Sequence, residues 1–102
     1  MRITAFQKQL ICENTIKYFG QDAHVWLFGS RVNDFAKGGD IDLYIEPSIQ
    51  NAAMLIAAKL QFMAELHKKL GEQKIDVVLH RHNAASQLPI YRIAKQTGVL
   101  LR

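Results

Sequence analysis

The sequence predicts a single small domain of the α/β (α+β) class, with a mixed sheet flanked by helices. Three observations lead there. Helix-period segments alternate with short apolar runs, the two longest helical segments each end at a glycine, and residues 40–46 alternate strictly between apolar and polar. The elements follow in order. Thr4 and Gln7 have the spacing of a capping box, and Gly20 supplies a stop, so residues 4–19 should form a helix with Ala5, Cys12, Ile16 and Phe19 on its inner face. Val25-Trp26-Leu27-Phe28 is a continuous apolar run, expected to be a buried strand with both aromatics in the core. Residues 30–39 carry Asn33, Asp34, Gly38 and Gly39 and read as a turn or short helix.

The alternating segment Asp40–Glu46 reads as a strand ended by Pro47, with Ile41, Leu43 and Ile45 on one face and Asp40, Asp42 and Tyr44 on the other. Residues 52–70 predict a long helix whose apolar stripe is Ile56, Leu60, Met63, Leu66 and Leu70, with Lys59 and His67 at its edge and Gly71 as terminator. Ile75–Leu79 is a further strand. Pro89 opens a short helix that Gly98 closes, and residues 99–101 form a last strand. A length of 102 residues suits one domain, 1–102.

Composition narrows the class. Apolar residues make up 49%, which is globular and not disordered. No apolar run approaches the roughly 18 to 20 residues that cross a bilayer, and the N-terminus lacks a secretory layout, so the expected setting is cytoplasmic, away from membrane. One cysteine, Cys12, excludes an intrachain disulfide and reads as a small core residue. The net charge of +4 is uneven: residues 1–51 hold five Lys/Arg against six Asp/Glu, and residues 52–102 hold eight against three. Such a basic half can attract nucleic acid, a triphosphate or an acidic partner, but it equally describes a solvated lysine face.

Asp40 and Asp42, at i and i+2, share one face of a strand. Their mutual repulsion is costly unless a divalent cation sits between them, and Mg²⁺ takes such hard oxygen ligands. Asp76 interrupts the apolar strand Ile75–Leu79, and it joins the pair if that strand lies beside residues 40–46. Two metals sharing such carboxylates clamp both oxygens of an in-line phosphoryl displacement. Alone, the pair is also an ordinary solvent-face pattern. Gly29-Ser30, following a buried strand, adds the second requirement. A glycine admits backbone amides close to a phosphate, and Ser30 offers a hydroxyl. His80 and His82 could bind a metal but read better as a strand-end basic patch. Tyr44 and Lys37 could reach a nucleotide, with packing and solvent exposure as their plainer roles.

Phe28-Gly29-Ser30, nine residues, then Asp40-Ile41-Asp42-Leu43 resembles the signature of the DNA polymerase beta-type nucleotidyltransferase superfamily, and Lys74-Ile75-Asp76-Val77 resembles its third acidic position. In size the chain is similar to the minimal nucleotidyltransferases (MNT), often encoded beside a helical HEPN partner. The resemblance implies that Gly29 and Ser30 hold the triphosphate, with Arg31 matching a basic residue frequent in minimal members. It implies that Asp40 and Asp42 bind two Mg²⁺ ions, and that Asp76 completes the metal site and helps to activate the acceptor. Two positions depart from the minimal pattern, Asp34 for a glycine and Gly39 for a serine or threonine.

The function so implied is transfer of AMP from ATP to an acceptor hydroxyl. By the same analogy the acceptor is a tyrosine of a HEPN toxin whose antitoxin is this chain, in a homo- or hetero-oligomer. Two competing readings are a non-catalytic antitoxin that keeps the fold and a basic nucleic-acid binder.

Overall fold

The computed structural model describes residues 3–29, 40–71, 73–81 and 88–102. The elements run α1 (Ala5–Phe19), β1 (His24–Phe28), β2 (Ile41–Glu46), α2 (Ala52–Leu70), β3 (Ile75–Leu79), α3 (Pro89–Thr97) and β4 (Val99–Leu100). Three helices and a four-stranded mixed sheet make this the predicted α+β class. The turn expected over 30–39 lies outside the described residues.

The capping box forms as its spacing requires: Gln7 N–H donates to Thr4 Oγ1 at 3.0 Å, and Thr4 N–H donates to Gln7 Oε1 at 2.8 Å. At the other end Gly20 adopts φ +107°, and Ser48 donates from both its backbone N–H and its hydroxyl to the Phe19 carbonyl. That contact ties the end of α1 to the β2–α2 connection. Asn51 caps α2 by accepting from Met54 N–H at 3.0 Å, a signal the sequence reading passed over.

Strand order is β3-β2-β1-β4. β2 and β3 run parallel with α2 as their crossover, and β1 lies antiparallel between β2 and β4. Register fixes three cross-strand rows on one face. Phe28, Asp42 and Asp76 form the first, and Trp26, Tyr44 and Val78 the second. The third holds His24 and Glu46, with His80 just past the end of β3.

The opposite face carries Val25, Leu27, Ile41, Leu43, Ile45, Ile75 and Val77, packed with α1 and α2 into the hydrophobic core. Phe19 and Phe62, both fully buried, meet there with ring centroids 5.1 Å apart. The helix faces differ from those expected. α1 buries Leu10, Ile11, Asn14, Thr15 and Phe19, leaving Ala5 exposed and Cys12 and Ile16 at the margin. α2 buries Leu55, Ala58, Phe62 and Leu66, whereas Ile56 and Leu60 are 65% and 67% exposed. The physical reason is that α2 has apolar residues on more than one face, so periodicity allowed two stripes. The aromatic Phe62, paired with Phe19, selects the one that packs.

β1 is also corrected. It alternates, with Val25 and Leu27 in the core and Trp26 and Phe28 half-buried on the other face, beneath α3. Two faces are covered unequally because α3 is only nine residues long and spans part of the sheet.

Candidate active site

Parallel pairing of β2 with β3 sets Asp42 directly opposite Asp76, on adjacent strands about 4.8 Å apart. Asp40 precedes β2, where Ile41 N–H donates to the Lys74 carbonyl at 3.0 Å and starts the ladder. As a result one carboxylate oxygen from each of Asp40, Asp42 and Asp76 lies within 4.8 Å of the others. Asp40 and Asp42 are half-buried and Asp76 is exposed, so the cluster opens to solvent on one side. The convergence that the sequence made conditional on strand pairing is therefore present.

Electrostatics show the cost of that convergence. Burial, then the charges of Asp76 and Asp40, push the Asp42 carboxyl above the usual carboxylate range; a hydrogen bond shared with Asp76 adds to this, and Lys74 opposes it. Lys74 Nζ lies 3.6 Å from Asp40 Oδ2 and partly neutralises the group. The sequence reading did not single out Lys74, although its period-two spacing from Asp76 puts it on the same face.

Gly29 ends β1 with φ +77°, a left-handed conformation suited to glycine. A Cβ added there would overlap Asp42 Oδ2 and stand 3.2 Å from its Cγ. Glycine is thus required twice, for the turn and for room beside the carboxylate. Ser30 and Arg31 lie outside the described residues, as do Asp34, Lys37, Gly39 and His82.

The donor set fits a divalent cation. Three hard oxygen ligands converge, one face is open for other ligands, and the charge repulsion has one partial counterion among the described residues. Asp40, Asp42 and Asp76 could hold Mg²⁺, with Gly29 leaving space against them.

The remainder of this sheet face was not anticipated. Tyr44 is fully buried and packed: its hydroxyl donates to Glu46 Oε2 at 2.7 Å and meets His80 Nδ1 at 2.8 Å. Its proton is held well above the usual phenol range by burial and by that carboxylate. Burial alone would raise Glu46, but hydrogen bonds from Tyr44 and Lys95, with the Lys95 charge, outweigh it and lower the carboxyl. Lys95 stands 3.1 Å from Glu46 and over the Trp26 ring at 5.2 Å, while Tyr91 stacks on His80 with centroids 3.9 Å apart. Tyr91 and Lys95, at i and i+4 on α3, were the available signal. His80 is accordingly a network member, not part of a loose basic patch. Cys12 donates to the Leu101 carbonyl at 3.4 Å, and burial pushes its thiol up, as an inert structural cysteine requires.

Among the described residues no helix is long and apolar enough to cross a membrane. Comparison with curated proteins gave no match. The family model described as "Polymerase beta, Nucleotidyltransferase" matches residues 12–102, which takes in β1, β2, β3 and all three aspartates. With the glycine-ended strand, the acidic cluster and this match together, the chain belongs to the polymerase beta nucleotidyltransferase family.

Proposed function

We propose that this chain transfers AMP from ATP to an acceptor hydroxyl, with Asp40, Asp42 and Asp76 holding Mg²⁺. The observation that supports this most is the approach of the three carboxylates to within 4.8 Å beside the Cβ-free Gly29. Bound there, the metal would neutralise charge on the transferred phosphoryl and leaving groups. Asp42, on β2, and Asp40, immediately before that strand, would hold the ion together. In this reading Asp76, the exposed member, accepts the proton of an incoming hydroxyl. Gly29 leads the backbone past the carboxylates, and the resemblance adds Ser30 and Arg31 as triphosphate contacts.

The acceptor in this reading is a hydroxyl on a separate chain, a HEPN-type helical partner, with this protein as its antitoxin in a cytoplasmic pair. Support comes from the resemblance to minimal nucleotidyltransferases, which are often encoded beside a helical HEPN partner. The test is to incubate the protein with Mg²⁺, ATP and the product of the neighbouring gene, then weigh the intact chains. One adenylyl group on the partner, absent with Asp42→Asn, is the expected result. An unmodified partner that is nevertheless bound and silenced would replace transfer with neutralisation by contact.

A further inference from the structure

A cavity of about 510 Å³ opens at the third cross-strand row, lined by Asp22, His24, Glu46, Ser48, Gln50 and His80 together with Pro47 and Lys95. Glu46 is four positions beyond Asp42 on β2, so it lies about 13 Å along the strand from the acidic triad. Its volume falls within the range of small-ligand sites, roughly 300 to 1,000 Å³.

The hydrogen-bond inventory of this cavity is one-sided. Tyr44 has a single proton, and the ionised Glu46 takes it at 2.7 Å. The contact between Tyr44 and His80 Nδ1 must then be a donation from the histidine, which leaves Nε2 as the other ring nitrogen, an acceptor in the tautomer protonated at Nδ1. That Nε2 is buried and has no partner among the described residues. Gln50 Oε1 is in the same condition, because the amide's NH₂ is turned to the Pro47 carbonyl at 2.9 Å. His24 Nδ1 faces the Arg102 carbonyl at 3.2 Å, so it too carries the proton there and offers Nε2 as an acceptor. Ser48 spends its hydroxyl proton on the Phe19 carbonyl. Among the described residues the one cationic side chain of the lining is Lys95, and it is engaged by Glu46 and the Trp26 ring.

Five side chains of the lining therefore carry acceptor atoms, two of them carboxylates, while the donors of Tyr44, Ser48, Gln50 and Lys95 are engaged within the protein. Buried acceptors without partners are costly, and a ligand that supplies several N–H groups relieves that cost. We infer that this cavity is a binding site for a donor-rich cation, an ammonium or guanidinium group, distinct from the acidic triad. The local charge favours it although the chain as a whole is basic: Asp22 and Glu46 outnumber Lys95. This inference is independent of the proposed nucleotidyl transfer.

Trp26 is the only tryptophan and lies against Lys95, so its fluorescence reports on the cavity. The experiment titrates 1,4-diaminobutane, N-acetylarginine amide and the uncharged isostere 1,4-butanediol into the full chain, with amide NMR to locate the response. Saturable shifts at Glu46, Ser48 and His80 are expected for the two cations, with butanediol about tenfold weaker or worse, the factor for losing a charged hydrogen-bond donor. Asp22→Asn and Gln50→Leu, both in the lining, should each weaken binding by about three- to tenfold. Asp42→Asn should leave it unchanged. Tighter binding of the diamine identifies a free small amine, and tighter binding of the arginine amide identifies a polypeptide side chain. Equal binding of butanediol, loss of the response in Asp42→Asn, or full retention in Asp22→Asn and Gln50→Leu would each overturn the inference.

Discussion

Replacing Asp42 by asparagine should make the metal-free protein more stable while removing its response to Mg²⁺. At the 4.8 Å that bounds the carboxylate oxygens, two unit charges repel by about 0.9 kcal/mol in water and about 3.5 kcal/mol at an effective dielectric of 20. Asp42 is only half-buried, and solvent screening pulls the net towards the lower figure. Of its two acidic neighbours, Asp40 is partly offset by Lys74 at 3.6 Å, so Asp76 remains as the main source of repulsion. Asp42→Asn keeps the shape, removes the charge and lets the new amide donate a hydrogen bond to Asp76. The expected gain at neutral pH and low salt is about 1 kcal/mol, or a Tm rise of about 4–8 °C for a domain of this size.

The sign with pH follows from the raised Asp42 carboxyl. Its penalty is absent below the unfolded value of about 3.9 and complete once pH exceeds the folded one, so parent and variant should converge in acid. Urea unfolding at low and high salt, with and without Mg²⁺, measures all of this. Mg²⁺ at about ten times its Kd should add about 1.4 kcal/mol to the parent and clearly less to the variant. An Asp42→Asn protein that is no more stable than the parent at low salt, or that Mg²⁺ stabilises equally, refutes the reasoning.

Three further outcomes are expected. Gly29→Ala should cost more than about 1 kcal/mol, because a left-handed residue with a Cβ is strained and this one overlaps Asp42; stability curves with and without Mg²⁺ should show both losses. Leu66→Ala should cost about 2–5 kcal/mol, whereas Leu60→Ala on the exposed side of the same helix should stay within about 0.5 kcal/mol, and urea midpoints will separate them. Tyr44→Phe should cost about 1–3 kcal/mol by unpairing buried groups. It should also reduce the stability lost on acidification, since Glu46, now held low by Tyr44 and Lys95, contributes stability above its unfolded value that disappears as pH falls through the folded one. Denaturation across the acid range checks both.

Local chemistry made much of this protein legible in advance. Thr4 with Gln7, Gly20, Gly71, and Pro89 with Gly98 marked helix ends because caps and stops act through neighbouring backbone groups. The alternation of 40–46 named the faces of β2, since a strand's period is two whatever surrounds it. Spacing also proposed Asp40, Asp42 and Asp76 as one cluster, and Gly29 as its neighbour.

Other features needed the whole chain in place. α2 carries apolar residues on two sides, and only the fit of Phe62 against Phe19 chose Leu55, Ala58 and Leu66 over Ile56 and Leu60. Nor could spacing show that Tyr44 and Trp26 are covered, because α3, which packs on their face, is separated from β2 by more than forty residues. The network of Tyr44, Glu46, His80 and Lys95 joins two strands and a helix, so no local pattern announced it. Sequence by itself determined the bounds of the described elements to within one residue, and which aspartates could share an ion, because those depend on contacts within a turn or along one strand. The parallel register that sets Asp42 against Asp76, the face on which each helix buries, and the acceptor-lined cavity were decided by tertiary structure, because each depends on long-range packing between distant segments.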